Sequence, residues 1–443
     1  METVVVPSRE IPVIADADFV VVGGGCAGVA AAIAAAQSGI RAVLIEKSNC
    51  AGGMVTNGLL PSIIYLSDGA NLLSGGLCYE LVKRIDKMMN AEVDLHWTLI
   101  HPEVVKLVLD GMLEESGVQV FYQMHCSEAI VEDGSLTGVV VSTPAGIGVI
   151  RGKIFADATG DGNLSALAGV PCEVGDENGE VMAPTLCTMF NNIDYDQVDP
   201  YERKTVMGRK EWGIATKEGR APLEEGHFVG FFPAGKSVGI GNLGHEYGCR
   251  PLDAVSYTEA CIAGRKRAQI YLDFFKREVP GFANAELAAT ASMLGVRESR
   301  RVCGDYRMTG DDYVCRRHFD DEIGCFSYPI DIHASNSNVE KQAQVEKELN
   351  RSHYQKGENY GIPYRALLAS GIRNLLLTGR CISTDRQMQS SIRVVPGCMI
   401  TGEAAGIAAA EAVKNMVSLR AVDISSVQKI LKSRGIYFPE KRA

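Results

Sequence analysis

Cationic excess is missing from this chain of 443 residues: 44 Lys and Arg stand against 54 Asp and Glu, a formal charge of −10. That balance excludes general attraction to nucleic acid or to an anionic membrane, and no basic stripe offsets it locally. Also missing is any C-x-x-C pair. The thirteen cysteines are odd in number and scattered, which excludes a disulfide scaffold and favours a reducing, cytoplasmic setting. No Cys or His pair has ligand spacing, so no metal is expected. No G-x-S-x-G elbow is present either. The one long uncharged run, Phe19 to Ile40, is interrupted by Gly23, Gly24 and Gly25 and preceded by Glu10, Asp16 and Asp18. It reads as a buried strand, a turn and a helix, not as a membrane span or a signal peptide. With 46% apolar and 22% charged residues, extensive disorder is excluded.

What the chain has in excess is glycine, 47 residues gathered in short clusters. Asp18 to Val22 predicts a strand, Gly28 to Gln37 an Ala-rich helix, and Arg41 to Ile45 a second strand, together a βαβ unit. Val104, Leu107, Val108 and Met112 predict a helix over His101 to Glu115. Ala129 to Val131 and Leu136 to Val141 predict a hairpin through Asp133-Gly134, and Lys153 to Ala158 a further strand. After about Val170 the texture changes. Thr185 to Phe190 and His227 to Phe232 read as strands, and Ser256 to Lys276 as a charged helix. Leu375 to Thr378 and a small-residue helix from Met399 to Val413 return to the first texture. The expected fold is therefore α/β, with a discontinuous Rossmann-like domain over 1–169 and 334–443 and an α+β substrate domain inserted over 170–333.

Gly23, Gly25 and Gly28 form G-x-G-x-x-G between a strand and a helix, and Glu46 ends the next strand. The first glycine makes the turn, the second admits a pyrophosphate and the third lets helix and strand pack closely. The helix N-terminus favours the phosphates, and Glu46 would accept from ribose hydroxyls. Gly52 and Gly53 would let the chain pass a wide planar ring system. Gly402, Ala404, Ala405 and Gly406 are expected at the start of the last helix, letting its N-terminus approach the cofactor; ordinary close packing on a sheet is the alternative.

Several segments resemble FAD-dependent oxidoreductases of the fumarate-reductase and glutathione-reductase superfamily: Asp18 to Gly25, Gly52 to Thr56 and Ala158 to Gly162. Gly295 to Arg301, Tyr328 to His333, Leu377 to Ser383, Ser391 to Pro396 and Gly402 to Gly406 resemble, more narrowly, the large bacterial family known simply as FAD-dependent oxidoreductase. The resemblance implies FAD and says little about substrate. The chain has no histidine near Gly52 to Gly76, so non-covalent FAD is expected. With no second dinucleotide motif and no redox dithiol, the glutathione-reductase subclass is disfavoured. The candidate coenzyme contacts are Gly23, Gly25, Cys26, Ala27 and Gly28 in the first turn, with Glu46 and Lys47 after the second strand. Gly52, Gly53, Met54 and Thr56 follow, then Cys126, then Thr159, Gly160 and Asp161. Gly379, Arg380, Pro396 and Gly402 complete the set.

Hydride transfer to a flavin requires a base and a positive charge beside the substrate. Arg297, Arg301 and Arg393 are the charge candidates, with Arg300 beside them. In a strand from Val296 to Val302, Arg297 and Arg301 would share one face and Glu298 and Arg300 the other. His333 is the first choice of base, with Asp331 two residues away to orient it; Tyr328 and His245 are weaker candidates. Cys381 and Cys398 read as small buried residues. The function expected is an FAD-dependent oxidoreductase moving a hydride between a small polar organic substrate and flavin N5. Its electron acceptor or donor is unassigned, no nucleic-acid or membrane partner is expected, and a homo-oligomer stays open. The alternatives are a redox-neutral isomerisation or elimination with transient hydride transfer, and a flavin-binding protein without turnover.

Overall fold

Strand Val13–Val22 is wholly apolar from Phe19 onward, and Phe19 to Val22 are all buried. Such a run suits a strand covered on both faces. In the computed structural model, which describes residues 3–5, 7–204, 206–225, 228–336 and 353–440, it lies inside a seven-stranded sheet. The order is Gln119–Phe121, Ala42–Ile45, Val13–Val22, Gly146–Asp157, Ser135–Thr143, His125–Glu132, with Leu375–Leu377 also paired to Gly146–Asp157. Pairing is parallel except that Ser135–Thr143 lies antiparallel to both His125–Glu132 and Gly146–Asp157. Gly146–Asp157 pairs with Val13–Val22 on one edge and serves two partners on the other: its first half pairs with Ser135–Thr143, and Phe155 to Asp157 pair with Leu375–Leu377. The hairpin turns through Asp133 and Gly134, both at positive φ, as a type I′ turn requires.

The first helix, Cys26–Gln37, is buried from Cys26 to Ala35. Its alanines are explained by what covers them: the sheet on one side and the long helix Val395–Asn415 on the other. A Cβ on Gly402 would stand 2.0 Å from the Ala27 carbonyl oxygen, and one on Gly406 2.2 Å from that of Ala31. The helix Val395–Asn415, which is followed by one more, Ile424–Ser433, starts earlier than its small residues suggest, because Pro396 is tolerated in a first turn, where no N–H is needed. Gly402 to Gly406 therefore sit mid-helix and serve close packing, not the helix N-terminus.

A second sheet is antiparallel throughout: Gly230–Pro233, Gly239–Asn242, Thr188–Asn191, Glu286–Thr290. The strand expected over 227–232 thus starts later, its first residue lying outside the described residues. Helix Ala254–Glu278, capped by the Asp253 side chain, packs on this sheet. Phe190, Trp212, Phe231, Phe274, Phe275 and Phe282 form its core, apart from the core of the large sheet. Cys172–Val174 and Arg300–Val302 pair where the chain passes between the two sheets, and Val302, Met308, Tyr313, Phe326 and Ile330 again belong to the large core. Among the described residues no single helix is long and apolar enough to cross a membrane.

Candidate functional site

A cavity of about 720 Å³ opens where the carboxyl ends of the parallel strands meet the second sheet, the usual place for a ligand in this topology. At its coenzyme-like end, Gly23 takes φ +105° and a Cβ there would lie 2.4 Å from the Ala158 carbonyl oxygen, while a Cβ on Gly28 would stand 1.9 Å from that of Gly23. A Cβ on Gly25 would meet nothing within 4 Å, so that position faces open space. Gly25 is the cap of the first helix and offers no side chain to the first turn. The N–H groups of that turn are thus directed at the cavity, a ready anion cradle.

Glu46 lines the same end, buried, its Oε2 accepting from Gly24 N–H at 2.6 Å and its Oε1 from Ser48 N–H at 2.8 Å. Oε1 also accepts from Ser48 Oγ, so it is Oε2 that keeps a further lone pair for a hydroxyl. Gly52 and Gly53 have φ +106° and +55°, and Gly52 N–H donates to the Gly24 carbonyl at 2.8 Å. Glycine is needed there to run against Gly25, and both residues also line the cavity. The Ala158 to Gly162 loop is organised by Asp157, which is fully buried. Its Oδ1 accepts from Thr159 N–H and Oγ, and its Oδ2 from Ser165 N–H and Oγ. Arg380 donates to Asp161 Oδ1 at 2.6 Å and to Ser299 Oγ at 2.8 Å. Burial would raise the Asp161 carboxyl, but Arg380 and Ser299 hold it below its ordinary range.

The other end of the cavity carries Arg297, Tyr328, Asp331, His333 and Arg393 together. Arg393 Nη2 donates to Asp331 Oδ2 at 2.8 Å, and Tyr328 Oη donates to the same oxygen at 3.1 Å. Burial opposes the charge on Asp331, yet His333, Arg393 and Arg297 keep that carboxyl far below the carboxylate range. His333 goes the other way: burial first, then Arg297, push its imidazole well below the usual value and keep it neutral. Burial and then Asp331 keep the Tyr328 phenol protonated. Arg297 is lowered to about 10, by burial and then by Arg393.

Behind His333 a buried chain runs on. Its Nδ1 is 2.9 Å from His245 Nε2, and His245 Nδ1 is 3.0 Å from Glu225 Oε1, which Tyr247 Oη also contacts at 3.0 Å. His333 Nε2 closes the chain on Asp331 Oδ2 at 3.3 Å. Each of these three contacts needs one proton, whereas two neutral imidazoles between two carboxylates carry two. Closing all three requires one extra proton.

The cavity collects nineteen of the expected residues: Gly23, Gly25, Cys26, Ala27, Glu46, Lys47, Gly52, Gly53, Met54, Cys126, Thr159, Gly160, Asp161, Gly379, Arg380, Arg297, Tyr328, His333 and Arg393. Gly28 lies beneath the turn. Thr56 donates to the Ala51 carbonyl at 2.7 Å, Pro396 sits in a helix first turn, and Gly402 packs on Ala27. Arg301 is buried away from the cavity, paired with Glu298 and donating to the Gly175 carbonyl at 2.8 Å. The expected sharing of a face by Arg297 and Arg301 does not hold. Strand geometry starts only at Arg300, and the irregular stretch before it brings Glu298 round to Arg301. Sequence reasoning missed Asp157, Glu225 and the aromatic wall of Tyr65, Trp97 and Phe232. A carboxylate closing a buried strand was the one available signal, for Asp157. Outside the cavity, His318, Glu322 and Cys325 bring ligand-type atoms within 4.8 Å of one another. Glu322 Oε2 there already accepts from Phe319 N–H and contacts His318 Nδ1, and burial pushes the Cys325 thiol well up.

The model of the FAD dependent oxidoreductase family matches residues 18–431. A search of curated proteins finds no match. Among solved structures the chain is similar to a geranylgeranyl bacteriochlorophyll reductase-like protein from Thermoplasma acidophilum, at 16% identity over 95% of this chain and 84% of the other, TM-score 0.46. It is also similar to p-nitrophenol 4-monooxygenase from Pseudomonas putida DLL-E4, at 13% identity over 95% and 87%, TM-score 0.45. L-proline dehydrogenase from P. horikoshii gives 14% identity over 96% and 99%, TM-score 0.45. Likeness at this level carries no argument about substrate.

Proposed function

This chain belongs to the FAD dependent oxidoreductase family, and we propose that it exchanges a hydride between a small polar organic substrate and non-covalently held FAD. FAD, when bound, would supply the two-electron chemistry. The carrying observation is the single cavity that joins an anion cradle at Gly25 to a cluster of Arg297, Arg393, Asp331 and His333.

The residues present fit the coenzyme. The open face of Gly25 and the first-turn N–H groups of Cys26 and Ala27 would hold the diphosphate, and Glu46 a ribose. The second sheet and its helix would act as a cap, since Phe232 and Asn242 from that sheet close the cavity. Arg393 fixes Asp331, and Asp331 with His245 sets the imidazole of His333. His333 lines the cavity, and its Nε2 makes the longest contact of the chain. It would take or give the substrate proton there, with the His245–Glu225 pair supplying the compensating proton shift at Nδ1. All thirteen cysteines are free, which supports a reducing, cytoplasmic compartment.

The test is the visible spectrum of the purified protein before and after dithionite, then anaerobic mixing with sugars, hydroxy acids, amines and enoates. Yellow protein that bleaches with one class of substrate is the expected result. A colourless preparation that takes up no added FAD refutes the reading.

A further inference from the structure

Arg297 is a cation in a buried place with no acid of its own. Its side chain lines the cavity and the residue is 8% exposed. Nη1 donates to the Ala183 carbonyl at 2.8 Å and to Thr185 Oγ1 at 2.9 Å. Among the described residues no carboxylate lies within ion-pair distance, and Nε and Nη2 have no hydrogen-bond partner. The contrast with its neighbours is sharp: Arg393 is paired with Asp331, Arg380 with Asp161 and Arg301 with Glu298. Asp331 accepts from Arg393, so it does not neutralise both guanidinium groups, and with His333 neutral the local balance is one positive charge.

An unpaired buried cation is costly unless something supplies the counter-charge. The Nε and Nη2 edge of a guanidinium presents two parallel donors that match the two oxygens of a carboxylate. Beside it stand Tyr328 and Tyr65, whose rings meet edge to face at 5.0 Å, with Trp97 and Phe232 stacked at 5.6 Å further along the wall. From this juxtaposition we propose that the substrate is a carboxylic acid, its carboxylate held by the free edge of Arg297 and its apolar body laid against the Tyr65–Tyr328 wall. The proposal rests on the cavity being the substrate end of the flavoenzyme inferred above, and it narrows that substrate from a polar molecule to an anionic one.

Benzoate and benzamide share shape and differ in charge, so they serve as probes. Their affinities for the FAD-loaded protein are measured by calorimetry, with the visible flavin spectrum recorded alongside. Benzoate is expected to bind roughly 10- to 100-fold more tightly than benzamide, with that preference lost in R297Q and partly kept in R297K. Equal affinities in the unaltered protein, or a preference that survives in R297Q, overturn the proposal. A midpoint potential that drops in R297Q while benzoate affinity stays unchanged also overturns it, because the guanidinium then serves the reduced flavin. Should R297Q fail to fold, the benzoate-to-benzamide ratio of the unaltered protein and R297K still decide. A protein that binds no FAD yet prefers benzoate defeats the flavoenzyme reading alone; a yellow protein without the preference defeats only this one.

Discussion

Gly402→Ala separates packing from cofactor contact. The added Cβ would stand 2.0 Å from the Ala27 carbonyl oxygen and 2.8 Å from its carbon, where ordinary contact begins at 3.4 Å. The obstacle is main chain on the first helix, so no side chain can rotate aside and the two helices must part locally by about 1.4 Å. Overpacking of this kind costs about 1–3 kcal/mol, and a rigid obstacle places it near the upper end. Alanine returns about 1 kcal/mol through its better helix propensity, leaving a net loss of about 2 kcal/mol. The assay is thermal melting of the protein stripped of FAD, followed by FAD titration. A Tm lowered by a few degrees without the cofactor is expected, together with weaker FAD binding, because Ala27 itself lines the cavity. An unchanged Tm of the stripped protein combined with lost FAD affinity would refute the reasoning, since Gly402 would then have to meet the cofactor directly.

Gly25→Val is the converse case: φ −65° and ψ 176° suit any residue, and nothing lies within 4 Å of the new Cβ. Stripped protein should melt as before while FAD affinity falls by more than about tenfold; a large stability loss would mean that the cradle is a packing turn. Asp157→Asn puts an amide opposite donors that need an acceptor, and melting should show a loss of about 1–3 kcal/mol. An unchanged melt would refute the organising role of Asp157. His333 predicts an acid-side loss of stability. Its folded value lies well below 6.5, so as pH falls below 6.5 the unfolded chain takes up a proton that the folded chain refuses, and stability declines. Asp331 does not confound this window, because its depressed carboxyl keeps its stabilising effect until pH falls below 3.8. Tm should therefore drop between pH 7 and 5, and less steeply in H333Q; equal slopes would show that His333 is not the group responsible.

The coenzyme half of the site was legible because its parts are local. Gly23, Gly25 and Gly28 sit within one turn, and Glu46 ends the adjacent strand. The other half was legible only in pieces. Arg297, His333 and Arg393 were identifiable as arginines suited to a charged substrate and a histidine two residues from Asp331, but Trp97, Phe232 and Tyr65 reach the cavity from three separate elements, and no spacing in the sequence joins them. Gly402 misleads for a physical reason: a run of glycine and alanine reads the same whether a helix approaches a cofactor or another helix, and only the start at Val395 decides. Arg301 misleads because a single strand was read through an irregular stretch, which hid its pairing with Glu298.

The residues that join the two sheets are also those that hold the reactive end together. Thr185 and Gly295 exchange hydrogen bonds at 2.7 and 3.3 Å where the chain enters and leaves the second sheet. Thr185 Oγ1 accepts from Arg297 and donates to the Gly244 carbonyl at 2.6 Å, and Gly244 precedes His245, which contacts His333. One threonine thus sets the position of the guanidinium and, through the next residue, the tautomer partner of the imidazole. A shift of the second sheet against the first would move both at once. The Arg297 guanidinium and the His333 ring are therefore fixed relative to each other by the crossover rather than by either sheet alone, as the proposed reaction would require.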